Sequence, residues 1–217
     1  MSIDIKLVIF DLDGVLTDTA AFHSKAWAKL ADDHGIPYSE EDDEKLKGID
    51  RSAALEIILE KSRKKYTELE KREMCNIKNE HYKLLINDMS ASDILPGSVE
   101  TLEKLKRDGI KIALASASKN AETVVTKLGI KDYFDYIVDS REIKKGKPNP
   151  EIFLKAADEL KMDIKHCIGV EDAIAGVKAI KSAGMKAIGI GDEKILSEAD
   201  FVINSLENFN YAIEKLE

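Results

Sequence analysis

Six short apolar segments, separated by stretches of helical character, are the feature that most constrains the fold of this chain. Strands that alternate with helices in this way pair in parallel, and the helices cover both faces of the sheet. Such sheets bind ligands beyond the carboxyl ends of their strands. The sequence therefore predicts an α/β fold with a parallel sheet. The segments are Leu7–Phe10, Ile112–Ala115, Tyr136–Val138, Cys167–Val170, Lys186–Ile190 and, more weakly, Phe201–Ile203.

Two aspartates follow the first apolar segment. Asp11 and Asp13 are two positions apart, and because side chains alternate along a strand, both leave the strand end on the same side. Like charges held close together repel unless a cation or a proton lies between them. Gly14 then lets the backbone turn at low steric cost. The pair predicts Asp11 as a nucleophile and metal ligand, and Asp13 as a proton carrier.

A charge-rich helical region separates the first apolar segment from the second. Between Asp18 and about Ser90, apolar residues recur at three- and four-residue spacings, without the alternation of a strand. Pro96 and Gly97 then mark the return to the sheet. We expect an α/β core at 1–15 and 90–217 and an inserted all-helical cap domain at 16–89. The expected cap helices are Ala21–His34, Asp42–Lys47, Ser52–Lys64 and Thr67–Met89.

The composition narrows the class of ligand. A chain of 217 residues with 44% hydrophobic residues can bury a sizeable core. Its net charge of −8 argues against a surface for nucleic acid or an anionic membrane, so a phosphate ligand must meet a local positive pocket. No apolar run approaches the roughly 18–20 residues of a membrane span, and no export signal is visible. We expect a cytoplasmic protein.

Three further segments place polar groups at predicted strand ends. Ser116 precedes a helix, where a hydroxyl and free amides can cradle a phosphate. Lys147 stands before a proline that restricts the backbone, and a lysine held there could neutralise a carboxylate and a phosphoryl group. Glu171 and Asp172 offer the oxygen ligands that Mg²⁺ prefers. Taken singly, the serine and the acids could instead be helix N-caps, and lysine runs are ordinarily solvated.

Taken together, the four segments resemble the four motifs of the haloacid dehalogenase superfamily across essentially the whole chain. The resemblance implies a Rossmann-like core with an inserted helical cap, and catalysis through a phosphorylated aspartate. Asp11 would attack phosphorus, Asp13 would give and take the proton, and Ser116 with Lys147 would hold phosphoryl oxygens. The implied Mg²⁺ ligands are Asp11, Asp13, Glu171 and Asp172.

The four motifs do not indicate which group accepts the phosphoryl group, so the acceptor has to be inferred from the inserted region. His23 and Trp27 lie four apart on one face of its first helix, although a lone histidine there is more often structural. Arg51 carries a planar guanidinium that suits a bidentate grip on a second phosphate. An exposed arginine on a helical surface is the simpler alternative.

These cap residues and the run from Ala113 to Asn120 resemble the β-phosphoglucomutase family of the superfamily. This resemblance implies interconversion of β-D-glucose 1-phosphate and glucose 6-phosphate, with β-glucose 1,6-bisphosphate as intermediate and primer. Arg51 would hold the phosphate remote from Asp11, and His23 would couple cap closure to the position of Asp13. The implied substrate-binding residues are Lys47, Gly48, Ile49, Asp50, Arg51, Lys78, Ala117, Ser118, Lys119 and Asn120, with Asn79 as a weaker candidate.

Two alternatives stay open. A sugar-phosphate phosphatase with the same core would need no grip on a second phosphate and would release phosphate stoichiometrically. A signalling receiver module also uses a phosphorylated aspartate, Mg²⁺, a hydroxyl residue and a lysine on a parallel sheet. The helical insert, and an acid two residues beyond the nucleophile, argue against a receiver. We expect small sugar phosphates as partners and a monomer, because a site enclosed by core and cap needs no second subunit.

Overall fold

A parallel sheet of six strands forms the centre of the computed structural model, which describes residues 4–46 and 49–216. Every pair of neighbouring strands is parallel, in the order β3-β2-β1-β4-β5-β6. The six predicted strands are confirmed to within one residue at each end. The strands are β1 (Leu7–Phe10), β2 (Lys111–Leu114), β3 (Tyr136–Ile137), β4 (Cys167–Glu171), β5 (Lys186–Ile190) and β6 (Phe201–Ile203).

Helices cover the sheet and also form the predicted insert between β1 and β2. In the described part of the chain, no helix combines the length and apolarity needed to cross a membrane. The helices are α1 (Ala20–Asp33), α2 (Glu40–Leu46), α3 (Arg51–Leu59), α4 (Glu68–Leu85), α5 (Ser98–Arg107), α6 (Ala121–Lys127), α7 (Glu151–Glu159), α8 (Ile174–Ser182) and α9 (Phe209–Leu216).

Strand β1 is buried on both faces, which explains why its sequence is apolar throughout. Val8 and Phe10 pack with residues of α5, α6 and α9, whereas Leu7 and Ile9 pack on the other face with residues of α7 and α8. Pairing with β2 and β4 sets Phe10 opposite Leu114 and Val170. The residues that follow these strands therefore emerge at one edge of the sheet.

The inserted helices have an apolar cluster of their own and also pack against the core. Trp27 and Leu30 of α1 meet Leu55 of α3 and Met74 of α4 in this cluster. Tyr82, near the end of α4, instead joins the cluster on the face of the sheet covered by α5, α6 and α9. The insert thus packs against the core through the last turns of α4 and through Ala26 of α1. The domain limits at 15/16 and 89/90 stay a prediction.

Two of the predicted cap helices, Ser52–Lys64 and Thr67–Met89, are too long. Helix α3 ends at Leu59, and three residues later the Ser62 hydroxyl accepts the Lys64 N–H at 3.1 Å, a local turn that competes with helical hydrogen bonds. Helix α4 ends at Leu85 and continues only as a single 3₁₀ turn. Ile86 and Met89 are both buried, so the apolar spacing persists beyond the helix itself.

Candidate active site

A buried lysine lies between two carboxylates beneath the edge of the sheet. The Lys147 Nζ donates to Asp11 Oδ1 at 2.5 Å and to Glu171 Oε1 at 2.6 Å. The other Glu171 oxygen accepts the Ala173 N–H at 2.9 Å. Burial acts to lower the pKa of Lys147, but the charges of Asp11 and Glu171 outweigh it and raise that pKa above its ordinary value. The ammonium group therefore keeps its charge and fixes the Asp11 carboxylate.

Oxygen atoms of Asp11, Glu171 and Asp172 lie within 4.8 Å of one another. Burial, followed by the charges of Glu171 and Asp11, raises the pKa of Asp172 to about 8, and burial also raises the pKa of Glu171. These shifts reflect crowded negative charge that a cation would relieve. A set of carboxylate oxygens is the donor chemistry that Mg²⁺ prefers, so these residues fit that ion.

Two glycines leave room for the acidic side chains. Gly14 has φ +74°, and a Cβ there would lie 2.0 Å from Asp172 Oδ2. Gly176 lies inside α8, where a Cβ would lie 1.8 Å from Glu171 Oε1. Sequence reasoning identified the turn at Gly14 but missed Gly176. A glycine inside a helical pattern is the signal that could have pointed to a close approach there.

The carboxylate of Asp13 is not among the three clustered carboxylates, and Asp13 lines the same cavity as Asp11 and Asp172. The Thr19 hydroxyl donates to Asp13 Oδ1, and His23 Nε2 lies 4.0 Å from Oδ2. Burial and the charge of Asp11 raise the pKa of Asp13 to about 8, so its carboxyl group can carry a proton near neutral pH. A metal contribution from Asp13 would have to come from its main-chain carbonyl. Sequence reasoning gave no signal for Thr19.

His23 is half-buried and contacts buried side chains of the cap. Its Nδ1 lies 2.7 Å from Lys78 Nζ, and its ring stacks on Tyr82 with centroids 4.1 Å apart. The Lys78 ammonium also lies over the ring of Trp27 at 4.7 Å. Burial and the nearby Arg51 lower the pKa of Lys78 to about 7, and burial and Lys78 lower that of His23. A neutral His23 that accepts from Lys78 directs its Nε2–H towards the Asp13 carboxyl group.

The loop after β2 presents polar groups to the same cavity. Ser116 is only 2% exposed, and its hydroxyl accepts the Ser118 N–H at 3.1 Å. The Ser118 hydroxyl in turn accepts the Asn120 N–H at 3.2 Å, at the start of α6. Ala117 and Lys119 line the cavity beside them. The turn is therefore held by its own serines, with Ser116 at the cavity floor.

The cap contributes an arginine at the start of α3. Asp50 accepts the N–H groups of the next helical turn and caps this helix. Arg51 Nη2 donates to Asn79 Oδ1 at 2.8 Å, and Nη1 donates to the carbonyl of Cys75 at 3.5 Å. Asn120 Nδ2 of the core donates to the same Asn79 oxygen at 2.8 Å. Cap and core are thus joined beside the arginine.

One cavity of about 620 Å³ collects most of the predicted residues, a volume that suits a small phosphorylated ligand. Lys147 and Glu171 are not among the lining residues, although Lys147 contacts Asp11, which is. Asp50 and Asn120 border helix termini rather than the cavity. Lys47 and Gly48 lie outside the described residues. The predicted residues that line the cavity are Asp11, Asp13, His23, Ile49, Arg51, Lys78, Ser116, Ala117, Ser118, Lys119 and Asp172.

Comparison with known proteins agrees with this geometry. A model of the haloacid dehalogenase-like hydrolase family matches residues 5–184. The chain is 46% identical over 200 residues to a β-phosphoglucomutase of Bacillus subtilis (strain 168), covering 91% of this chain and 88% of that protein. It is 33% identical to a phosphorylated carbohydrates phosphatase of Thermotoga maritima, covering 91% of this chain and 92% of that protein.

A solved structure supports the same relationship to the β-phosphoglucomutases. The crystal structure of β-phosphoglucomutase from Clostridium difficile matches with a TM-score of 0.95 and 47% sequence identity, covering 98% of this chain and 97% of that one. Sequence and structure therefore place this chain in the haloacid dehalogenase-like hydrolase family, among the β-phosphoglucomutases.

Proposed function

We propose that this protein interconverts β-D-glucose 1-phosphate and glucose 6-phosphate through bound β-glucose 1,6-bisphosphate. One observation carries the proposal: the core nucleophile Asp11 and the cap arginine Arg51 face a single cavity. A substrate with two phosphates needs a nucleophile for one of them and a cation for the other. The relatives named β-phosphoglucomutase support the same assignment.

The first transfer uses Asp11 and Asp13 together. An Asp11 carboxylate oxygen attacks phosphorus, the bond from phosphorus to the donor oxygen breaks, and that oxygen takes the proton of Asp13. In the reverse sense, a sugar hydroxyl attacks the aspartyl phosphate, Asp13 takes the hydroxyl proton, and the Asp11 carboxylate is restored. Because the bisphosphate can present either phosphate to Asp11, two such transfers complete the interconversion.

Positive charge and hydrogen-bond donors stabilise the transferring group. Phosphoryl transfer depends mainly on positioning and on neutralising charge. Lys147 carries its charge next to Asp11, and the hydroxyl of Ser116 lies at the cavity floor. Asp11, Glu171 and Asp172 would hold Mg²⁺, with the main-chain carbonyl of Asp13. When bound, that ion would offset negative charge on the phosphoryl oxygens and orient them.

A mutase also has to protect the aspartyl phosphate from water. The cap covers the nucleophile, since Trp27 and Arg51 from the insert line the same cavity as the core residues. Asp13 is linked to the cap through Thr19 and His23, so its position depends on how the cap sits. Asp13 is then positioned as a base only when the sugar has filled the cavity and excluded water, so that the sugar hydroxyl rather than water is activated.

Two other functions compete with this proposal. A phosphatase has the support of the Thermotoga relative, but it gives no role to a cap arginine that faces the nucleophile. A receiver module does not agree with membership of a hydrolase family that spans residues 5–184. The phosphatase is therefore the alternative that an experiment has to exclude.

The test is a product balance. The protein is incubated with β-glucose 1-phosphate, Mg²⁺ and a trace of the bisphosphate, and glucose 6-phosphate and free phosphate are measured separately. We expect glucose 6-phosphate in large excess over phosphate, and no turnover to either product in Asp11→Asn. Phosphate released in proportion to the substrate consumed would identify a phosphatase instead.

A further inference from the structure

We propose that Asn79 is a positioning residue: its side-chain oxygen orients Arg51 towards the remote phosphate and, by accepting a hydrogen bond from Asn120, ties the cap to the core. This inference rests on the proposed function for the identity of the phosphate. The tie itself can be tested without any turnover.

One oxygen atom joins three elements. Asn79 Oδ1, on α4, accepts from Arg51 Nη2 at the start of α3 and from Asn120 Nδ2 at the start of α6, each at 2.8 Å. Helices α3 and α4 belong to the insert, and α6 belongs to the core. Asn79 is half-buried and Asn120 is buried, so the hydrogen bonds are partly shielded from solvent. This contact joins the two layers beside the cavity.

The direction of each hydrogen bond follows from the chemistry of the groups. A guanidinium has donors only, so Asn79 must present its oxygen to Arg51. Asn120 faces the same oxygen and must therefore present its amide nitrogen. Two donors, one charged and one neutral, converge on a single acceptor. The guanidinium of Arg51, which lines the cavity, retains further N–H bonds that a phosphate can accept.

The acceptor is neutral, and this matters for binding an anion. Within the described residues, both hydrogen bonds donated by Arg51 end on uncharged oxygens, the amide of Asn79 and the carbonyl of Cys75. A carboxylate at position 79 would hold the guanidinium equally well, but it would cancel its charge and repel a phosphate. An amide orients the arginine and leaves its charge available.

Two substitutions at position 79 distinguish the orientation of Arg51 from the contact between cap and core. Asn79→Asp keeps the acceptor and both hydrogen bonds, so we expect the KM for β-glucose 1-phosphate to rise about tenfold while the ratio of phosphate to glucose 6-phosphate stays unchanged. Asn79→Leu removes the acceptor, so we expect a similar rise in KM and also a severalfold larger fraction of phosphate, because water reaches the aspartyl phosphate more often. Lys83→Gln, on an exposed part of α4, is the control.

If Asn79→Leu matched Lys83→Gln in both KM and product ratio, the inference would be wrong. It would be equally wrong if Asn79→Asp left the KM unchanged, since the neutrality of the acceptor would then have no effect on phosphate binding.

The tie is tested without substrate by a double-mutant cycle on thermal unfolding. We expect Asn79→Leu and Asn120→Leu together to lower the Tm by clearly less than the sum of the two single effects, because either change alone removes their mutual hydrogen bond. Additive shifts would refute the tie. If the two substitutions were coupled but the wild-type protein released phosphate stoichiometrically, the contact between cap and core would be confirmed and only the proposed mutase function would be wrong.

Discussion

The buried ammonium group of Lys147 organises the charges around Asp11. Lys147 contacts one oxygen of Asp11 and one of Glu171, and all three residues are almost fully buried. Buried ions are stable only when paired and hydrogen-bonded, because the loss of hydration is otherwise not offset. The lysine therefore offsets the negative charges of both carboxylates and holds the acidic group together.

Arg51 carries the residue-scale prediction. In Arg51→Ala we expect kcat/KM for the mutase reaction to fall about a hundredfold, because charge-assisted hydrogen bonds to the remote phosphate are lost. Hydrolysis of a small aryl phosphate, which has no second phosphate, is expected to change less than about threefold. Steady-state kinetics on both substrates measure this, with the exposed Arg72→Ala as control. Equal loss of both activities would contradict a role for Arg51 in holding that phosphate.

Helix α8 carries the first element-scale prediction. Alanine is ordinarily more favourable than glycine inside a helix by about 1 kcal/mol. At Gly176, however, the added Cβ would lie 1.8 Å from the carboxylate of Glu171, beside Lys147. We therefore expect Gly176→Ala to lower the free energy of unfolding by about 1–3 kcal/mol and to reduce mutase activity at least tenfold. Urea unfolding and kinetics check this, and a stabilised, fully active variant would show that Glu171 can move aside freely.

The junction of α8 and β5 carries a prediction about pH. Asp200 accepts from Lys181 at 2.5 Å, from the Ala187 N–H at 2.8 Å and from Lys186 at 2.9 Å. Burial acts to raise the pKa of Asp200, but these hydrogen bonds outweigh it and hold the pKa below its usual value.

Because the folded pKa of Asp200 is the lower one, its contribution to stability is complete above the unfolded pKa of about 3.9 and is lost as pH falls through the folded pKa. We expect Asp200→Asn to be less stable than wild type by about 1–2 kcal/mol at pH 7, and the difference to shrink towards pH 3. Urea titrations across this range measure it. A difference independent of pH would mean that the Asp200 carboxylate contributes no net charge effect.

The elements also show what the sequence could predict. Strand β1 was predictable because both of its faces are buried, which leaves an unbroken apolar run that ends at Asp11. The end of α3 was not, because it depends on a local serine turn at Ser62 rather than on apolar spacing. Partners distant in sequence were also hidden: Asn79 meets Asn120, 41 positions away, only once the insert has folded against the core.

In the whole molecule, the residues proposed for catalysis and those proposed for substrate specificity come from different parts, the sheet and the insert. The sheet supplies Asp11, Lys147 and the acidic cluster at its carboxyl edge, which is where parallel sheets commonly bind ligands. The insert supplies Arg51, His23 and Lys78. We infer that the two parts are a core of 1–15 and 90–217 and a cap of 16–89. This division lets one reactive aspartate serve a sugar hydroxyl while excluding water.

The central claim is that Asp11 carries the phosphoryl group between the two sugar positions. The most direct measurement mixes the protein with radiolabelled β-glucose 1,6-bisphosphate, quenches it within milliseconds, reduces the acyl phosphate with borohydride and maps the modified residue by mass spectrometry. We predict modification at Asp11 alone, formed and lost at least as fast as glucose 6-phosphate appears, and none in Asp11→Asn. Steady mutase turnover without modification of Asp11, or with the reduced side chain found at another residue, would contradict this mechanism.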